Sequence, residues 1–248
     1  HTAYRRQRQM CIRDRDKIYG RKPVLETIEN GQKIHKAYII NQNTPIVKKI
    51  IEKLSKKNVE IKYVNKNFFE NYKGNHQGVM IEVDSFNYAS LYDLKEAKRV
   101  ILLDKIEDPH NLGAIIRSAE SFGFDGVIIP EHRSAKVNPT VYKTSAGAIN
   151  NIKVVMVTNL NQSIEKIKEN GFWVYGLAGE ARNSLVTTDL TGKVAIVVGN
   201  EGDGISRLVR KNCDALIKIP MLGKVNSLNA SVAAATCMYE VRRQNDFK

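Results

Sequence analysis

The sequence predicts a two-domain α/β protein, in which a large domain built on a mainly parallel sheet follows a smaller α/β domain. Three observations carry this expectation. The chain has 248 residues, 42% of them apolar, enough for one large or two modest cores at roughly 100–200 residues per domain. From Arg99 onward, near-continuous apolar runs alternate with helical patterns, as strands covered on both faces of a parallel sheet do. Ahead of them, residues 17–84 alternate shorter strands with amphipathic helices and carry a denser positive charge.

In the small domain, residues 22–30 read as a helix stopped by Gly31, and KAYII (36–40) as a strand. Pro45 sits where a first-turn proline belongs and opens a helix to residue 57, with Ile46, Ile50 and Leu54 on one face. VEIKYV is a strand, NKNFFENY a short helix and GVMIEV the closing strand. The more polar residues 85–98 read as a linker with one helical turn, leaving 99–248 as the large domain. There RVILLD (99–104), GVIIP (126–130), IKVVMV, FWVYGLA, KVAIVVG (193–199) and ALIKIP are strands. Helices at 111–122, 161–168, 206–211 and 228–243 complete it. Ligands of such sheets bind at the carboxyl ends of the strands.

The formal charge of +13 divides into +3 on residues 1–16, +6 on 17–84 and +4 on 85–248. Such an excess favours a polyanionic partner, nucleic acid or an anionic membrane surface. No apolar run approaches the roughly 18 residues of a membrane-spanning helix. Lys48, Lys49, Lys53, Lys56 and Lys57 crowd one helix, either as a solvated face or as phosphate contacts. Residues 1–16, HTAYRRQRQMCIRDRD, lack a starting Met and an apolar signal core. They read as a non-native leader resembling translated adaptor sequence, with a basic RNA-touching arm as the alternative. Cys11, Cys213 and Cys237 form no CxxC pair, which supports neither a zinc site nor a disulfide framework and fits a reducing, cytoplasmic setting.

Three strand ends carry unusual residues. In DKIEDPHNLGAIIRSAESFGFDGV, Leu112, Ile115, Ile116 and Ala119 form a core-facing stripe, and Asn111 is placed to cap the helix. Arg117 lies about 140° from that stripe, over the side-chain-free turn of Gly113. It is either a solvated surface arginine or free to reach a phosphate or substrate oxygen. In IVVGNEGDGIS the glycines let backbone groups approach a ligand. The pattern is GxxGxG rather than GxGxxG, so a dinucleotide reading is weak, and the P-loop pattern is absent. Glu201 in this turn would repel phosphate and suits a ligand carrying a cation or hydroxyl. In IPMLGKVNSLNASVAAATCMYE, Ser227 and Asn229 stand at the mouth of a thin, alanine-rich helix, where each alone is an ordinary N-cap residue.

Taken together, DPxNxGxxxRxAxxFG, VxGxEGxGxS and IPMxGxxxSLNxSVAxxxxxYE, in that order over about 140 residues, closely resemble the SpoU family of RNA 2′-O-ribose methyltransferases. The resemblance covers residues 99–248. IYGRKPVLETI and NHQGVMIEV resemble the ends of the ribosomal-protein-like RNA-binding domain joined to the large-ribosomal-RNA guanosine branch of that family. The resemblance implies a C-terminal trefoil knot, a homodimer, S-adenosylmethionine as cofactor, RNA as partner (23S ribosomal RNA above transfer RNA), and no metal or membrane. It assigns Asn111, Arg117, Glu201, Ser227 and Asn229 to catalysis. It assigns Gly199, Ile219 and Leu228 to the cofactor, with Leu177 and Ala178 at the adenine and Asn200, Gly202 and Met221 beside them. Guanidinium keeps its proton in water, so Arg117 either loses that proton within the site or stabilises a developing alkoxide while another group takes the proton. A non-catalytic RNA-binding assembly protein is the rival reading.

Overall fold

The computed structural model describes residues 15–70, 72, 75–224 and 227–246. The chain divides into two units, His1–Asn87 and Tyr88–Lys248.

The first unit runs β1 (Arg15–Tyr19), α1 (Arg21–Glu29), β2 (Ile34–Ile39), α2 (Pro45–Lys56), β3 (Glu60–Tyr63) and β4 (Val79–Asp84). Its sheet has the order β1-β4-β2-β3. β4 runs antiparallel to β1 and β2, while β2 and β3 are parallel. The helices bury Val24, Ile28, Val47, Ile50 and Leu54 against Ala37, Ile39, Val79, Ile81 and Val83. On α2 the buried stripe starts at Val47, with Ile46 only at its edge. Within NKNFFENY, Lys66–Phe69 form a single tight turn capped by the Asn65 side chain, which accepts from Phe68 N–H.

Two expected boundaries move. Arg15 and Asp16 pair with Asp84 and Val83 in β1, so the sheet begins inside the segment assigned to a leader. RDKIY is three-fifths charged and sits at a sheet edge, which hides the strand from a hydrophobic pattern. Residues 1–14, Cys11 among them, lie outside the described residues. From Tyr88 onward the expected linker is part of the second unit. Ala89 bridges to Val155, Ser90 and Asp93 form a capping box, and Leu94 and Ala97 are buried in the second unit's core.

The second unit contains β5 (Arg99–Asp104), α3 (Pro109–Ser121), β6 (Gly126–Pro130), α4 (Pro139–Thr144), β7 (Lys153–Val157) and α5 (Leu160–Glu169). It continues with β8 (Trp173–Leu177), β9 (Asn183–Ser184), β10 (Val194–Gly199), α6 (Arg207–Asn212), β11 (Ala215–Lys218) and α7 (Ala230–Asp246). The strand order is β7-β6-β5-β10-β8-β11-β9 and every pairing is parallel. The chain winds outward from β5 through β6 to β7, crosses to β8 and returns through β10, which inserts between β5 and β8. The strand order therefore reverses beside β5 and β10, where open parallel sheets form a ligand crevice. Four strand ends, Asp104, Leu177, Gly199 and Lys218, share that edge.

On α3 the predicted stripe of Leu112, Ile115, Ile116 and Ala119 is fully buried, each large side chain contributing about 1.5–3 kcal/mol. Two details differ from expectation. Asp108 caps α3, accepting from His110 N–H at 2.9 Å, with Pro109 as the first helical residue. Asn111 is thereby released from capping. Gly113 is where α3 meets α4: a Cβ there would fall 1.7 Å from Thr144 Oγ1. Its missing side chain serves helix packing and not clearance beneath Arg117. No helix of the described residues is long and apolar enough to cross a membrane.

Candidate active site

A cavity of about 270 Å³ opens at the carboxyl edge of β8, β10 and β11 and is closed by the start of α7. Leu177, Ala178, Gly199, Asn200, Gly202, Ile219, Met221 and Leu228 all line it. Segments far apart in sequence meet here because parallel strands deliver their loops to one edge. Gly199 is required by close backbone approach: a Cβ would lie 2.0 Å from the Gly204 carbonyl carbon and 2.1 Å from its oxygen. Gly204 in turn adopts φ +65, a conformation open to glycine. The turn closes through Gly204 N–H donating to Asn200 O at 3.1 Å. Asn200 Oδ1 also accepts from Gly202 and Asp203 N–H at 3.0 and 2.7 Å. Buried Asp104 at the end of β5 accepts from Ser206 N–H at 2.6 Å and pins the far side of the turn. The result is a slot with apolar walls from Ile219, Leu228 and Ala233 and backbone polar groups along the glycine turn. Such a slot fits a flat heteroaromatic group with a polar edge.

Beside this slot three predicted residues form one cluster. Glu201 Oε1 accepts from Asn111 Nδ2 at 2.7 Å, Asn229 Nδ2 at 3.1 Å and Ala230 N–H at 3.1 Å. Asn229 Nδ2 also donates to Asn111 Oδ1 at 3.0 Å. The carboxylate therefore sits at the amino end of α7, where its charge is favourable, and fixes both amides. Asn229 Oδ1 meanwhile accepts from Ser231 N–H and Oγ at 2.9 and 2.6 Å, so one residue both caps α7 and joins the cluster. The capping and functional readings of Asn229 are therefore compatible.

Ser227 lines the cavity. Arg117 stands apart: it is exposed on α3, six residues and about 9 Å along the axis from Asn111, and is not among the cavity-lining residues. Among the described residues its guanidinium makes no hydrogen bond or ion pair. Sequence reasoning missed Glu180 and Arg210, which pair at the cavity rim. It also missed the anchoring role of Asp104, although an Asp ending an apolar strand marks that position. Burial pushes the thiols of Cys213 and Cys237 up to about 12, which argues against thiolate chemistry at either. Among the described residues no group of three His, Cys, Asp or Glu could hold a metal ion.

The family model for the SpoU rRNA methylase family matches residues 98–239. One for RNA 2′-O ribose methyltransferase substrate binding matches residues 17–89. YacO of Bacillus subtilis (strain 168), which carries a TrmH family tRNA/rRNA methyltransferase name, is 41% identical, covering 93% of this chain and 96% of that protein. The 23S rRNA (guanosine-2′-O-)-methyltransferase RlmB of Xanthomonas campestris pv. campestris is 41% identical, over 92% of this chain and 96% of that protein. The fold resembles that of the SpoU methyltransferase AviRb from Streptomyces viridochromogenes, solved with AdoMet. The match has TM-score 0.67 and 23% identity, covering 93% of this chain and 90% of that one.

Proposed function

This chain belongs to the SpoU rRNA methylase family, and on that premise we propose that it methylates the 2′-hydroxyl of a guanosine ribose in large-subunit ribosomal RNA. The observation that carries the proposal is the joining of the glycine slot to the Asn111–Glu201–Asn229 cluster at one sheet edge. The slot fits the adenosine part of S-adenosylmethionine, with Gly199, Asn200, Gly202, Ile219, Met221, Leu228, Leu177 and Ala178 around it. When bound, this cofactor supplies a methyl group already activated on sulfonium, so the chemistry needs no metal.

The chain's own residues orient the acceptor and manage its proton. Glu201 holds the amides of Asn111 and Asn229 in fixed directions, and these with Ser227 position the ribose by hydrogen bonds. Alignment of this kind supplies a large share of a displacement's rate. Arg117, without a hydrogen bond or ion pair among the described residues, is a cation available to stabilise charge developing on the 2′-oxygen or to bind the adjacent phosphate. A homodimer accords with the exposed Val232 and Tyr239 on α7, and a cytoplasmic setting accords with the ribosomal RNA substrate in the name of the RlmB relative. The relative named RlmB favours ribosomal over transfer RNA, and the substrate-binding match over residues 17–89 supports an RNA substrate. The test is incubation with methyl-labelled S-adenosylmethionine and unmodified transcripts of large-subunit ribosomal RNA or of transfer RNA. Label in the ribosomal transcript supports the assignment. Label confined to transfer RNA moves the substrate, and label in neither favours the non-catalytic binder.

A further inference from the structure

The first unit holds a cavity of its own, about 470 Å³, whose lining includes Arg21, Gln42, Lys66, Glu70, His76 and Gln77. Arg21, Gln42, Gln77 and His76 are held in place. Arg21 Nη2 donates to Gln42 Oε1 at 2.5 Å, Arg21 Nε to Gln77 O at 3.3 Å, and Arg21 N–H to Gln77 Oε1 at 3.0 Å. A guanidinium restrained from two sides offers a flat face in one orientation. The His76 ring lies on Phe69 with centroids 4.3 Å apart and planes 7° apart, and Phe69 itself is 1% exposed. His76 Nδ1 accepts from Gly78 N–H at 3.0 Å, so a neutral ring carries its proton on Nε2. The backbone here is strained as well: Gln77 has φ 50, followed by Gly78 at φ 74. Non-glycine residues persist in this region where their surroundings demand it, ligand clamps among them.

The cavity mixes donors, Arg21 and Lys66, with a carboxylate acceptor, Glu70. A phosphate alone would be repelled by Glu70. A nucleobase presents a flat face together with an edge that both donates and accepts. We propose that this cavity receives one unpaired nucleotide of the substrate RNA, with the base against the Arg21 and His76 planes and its edge toward Glu70 and Lys66. This rests on the reading of the chain as an RNA-modifying enzyme and adds that its first unit reads single-stranded segments, the form in which RNA bases are accessible.

The experiment measures binding of the full chain to a single-stranded RNA oligonucleotide and to a blunt duplex of the same sequence at several salt concentrations. It compares wild type, His76→Ala, Glu70→Gln and Lys49→Ala, the last on α2 outside the cavity. Glu70 is exposed, so Glu70→Gln tests the site without disturbing packing. Both cavity variants should weaken single-strand binding about tenfold, as loss of one stacked or edge-bonded base does, with unchanged salt slope and unchanged duplex binding. Lys49→Ala should weaken both RNAs alike and reduce the slope. Equal losses on the two RNAs, or none, in the cavity variants overturn the proposal. Cavity variants that lose single-strand binding in a protein that transfers no methyl group would leave the proposal standing and remove the assigned activity. Wild-type binding by these variants in a protein that methylates RNA would do the reverse.

Discussion

Gly199→Ala tests the slot most sharply. The added Cβ would sit 2.0 Å from the Gly204 carbonyl carbon, 2.1 Å from its oxygen and 2.3 Å from Ile205 N, against 3.4 Å for an ordinary contact. All three neighbours are backbone, so no rotamer change relieves the clash. The Gly204–Ile205 segment must retreat by more than about 1 Å, which strains the turn by roughly 1–3 kcal/mol. The retreat also endangers three hydrogen bonds that close the turn on Asn200, each worth about 1 kcal/mol. The strain with one of these bonds lost comes to about 2–4 kcal/mol, a melting point lowered by roughly 5–15 °C. Gly179→Ala is the matched control, because Gly179 lines the same cavity with nothing within 4 Å of its would-be Cβ. Calorimetric titration with S-adenosylmethionine and thermal unfolding should show binding lost in Gly199→Ala, with stability changed by under about 0.5 kcal/mol in Gly179→Ala. A Gly199→Ala protein that binds cofactor and melts like wild type would show that the turn tolerates a Cβ and that the slot is not the cofactor site.

Other expectations follow from the same geometry. Arg117→Ala should abolish methyl transfer while leaving cofactor binding, read by titration, nearly intact; turnover near wild type would sink that assignment. Asn229→Ala should cost about 1 kcal/mol through the lost α7 cap as well as activity. Asn229→Ser, which keeps the cap but not the Nδ2 donor, should recover the melting point and not kcat. Gly113→Ala should destabilise by roughly 1–3 kcal/mol, and Thr144→Ala should relieve part of that in a double-mutant cycle read by urea unfolding. Burial holds the Cys213 and Cys237 thiols near 12, above their ordinary 9.0. The folded chain therefore keeps protons that the unfolded chain sheds, and stability falls as pH rises from about 9 toward 12. Replacing both by Ala should flatten the fall in urea midpoint across that range.

Long, buried elements were legible in the sequence; of the short or exposed ones, α6 and β3 were legible while β1, β9 and α4 were not. RVILLD and KVAIVVG are unbroken apolar runs because β5 and β10 sit mid-sheet, covered on both faces. By contrast β9 spans two residues and α4 six, too few to show a period. RDKIY pairs as an edge strand through its backbone while its side chains stay polar. Asn111 and Asp108 show a second limit: both are cap-type residues, and only the loop geometry decides that Asp108 caps, leaving Asn111 to meet Glu201. Glu201 looked misplaced in a glycine turn because its partners, Asn111 and Ala230, lie 90 and 29 residues away in the chain. Gly113 was read as local clearance because its actual neighbour, Thr144, belongs to a helix the pattern did not reveal.

Transfer of a methyl group to a ribose oxygen is read from where the label comes to rest in the RNA. RNA labelled by the protein from methyl-labelled S-adenosylmethionine is hydrolysed in alkali, which cuts every linkage except those 3′ to a 2′-O-methylated ribose. Label is expected in an alkali-resistant dinucleotide whose first residue is guanosine. Label recovered entirely in mononucleotides, on a base, would contradict it.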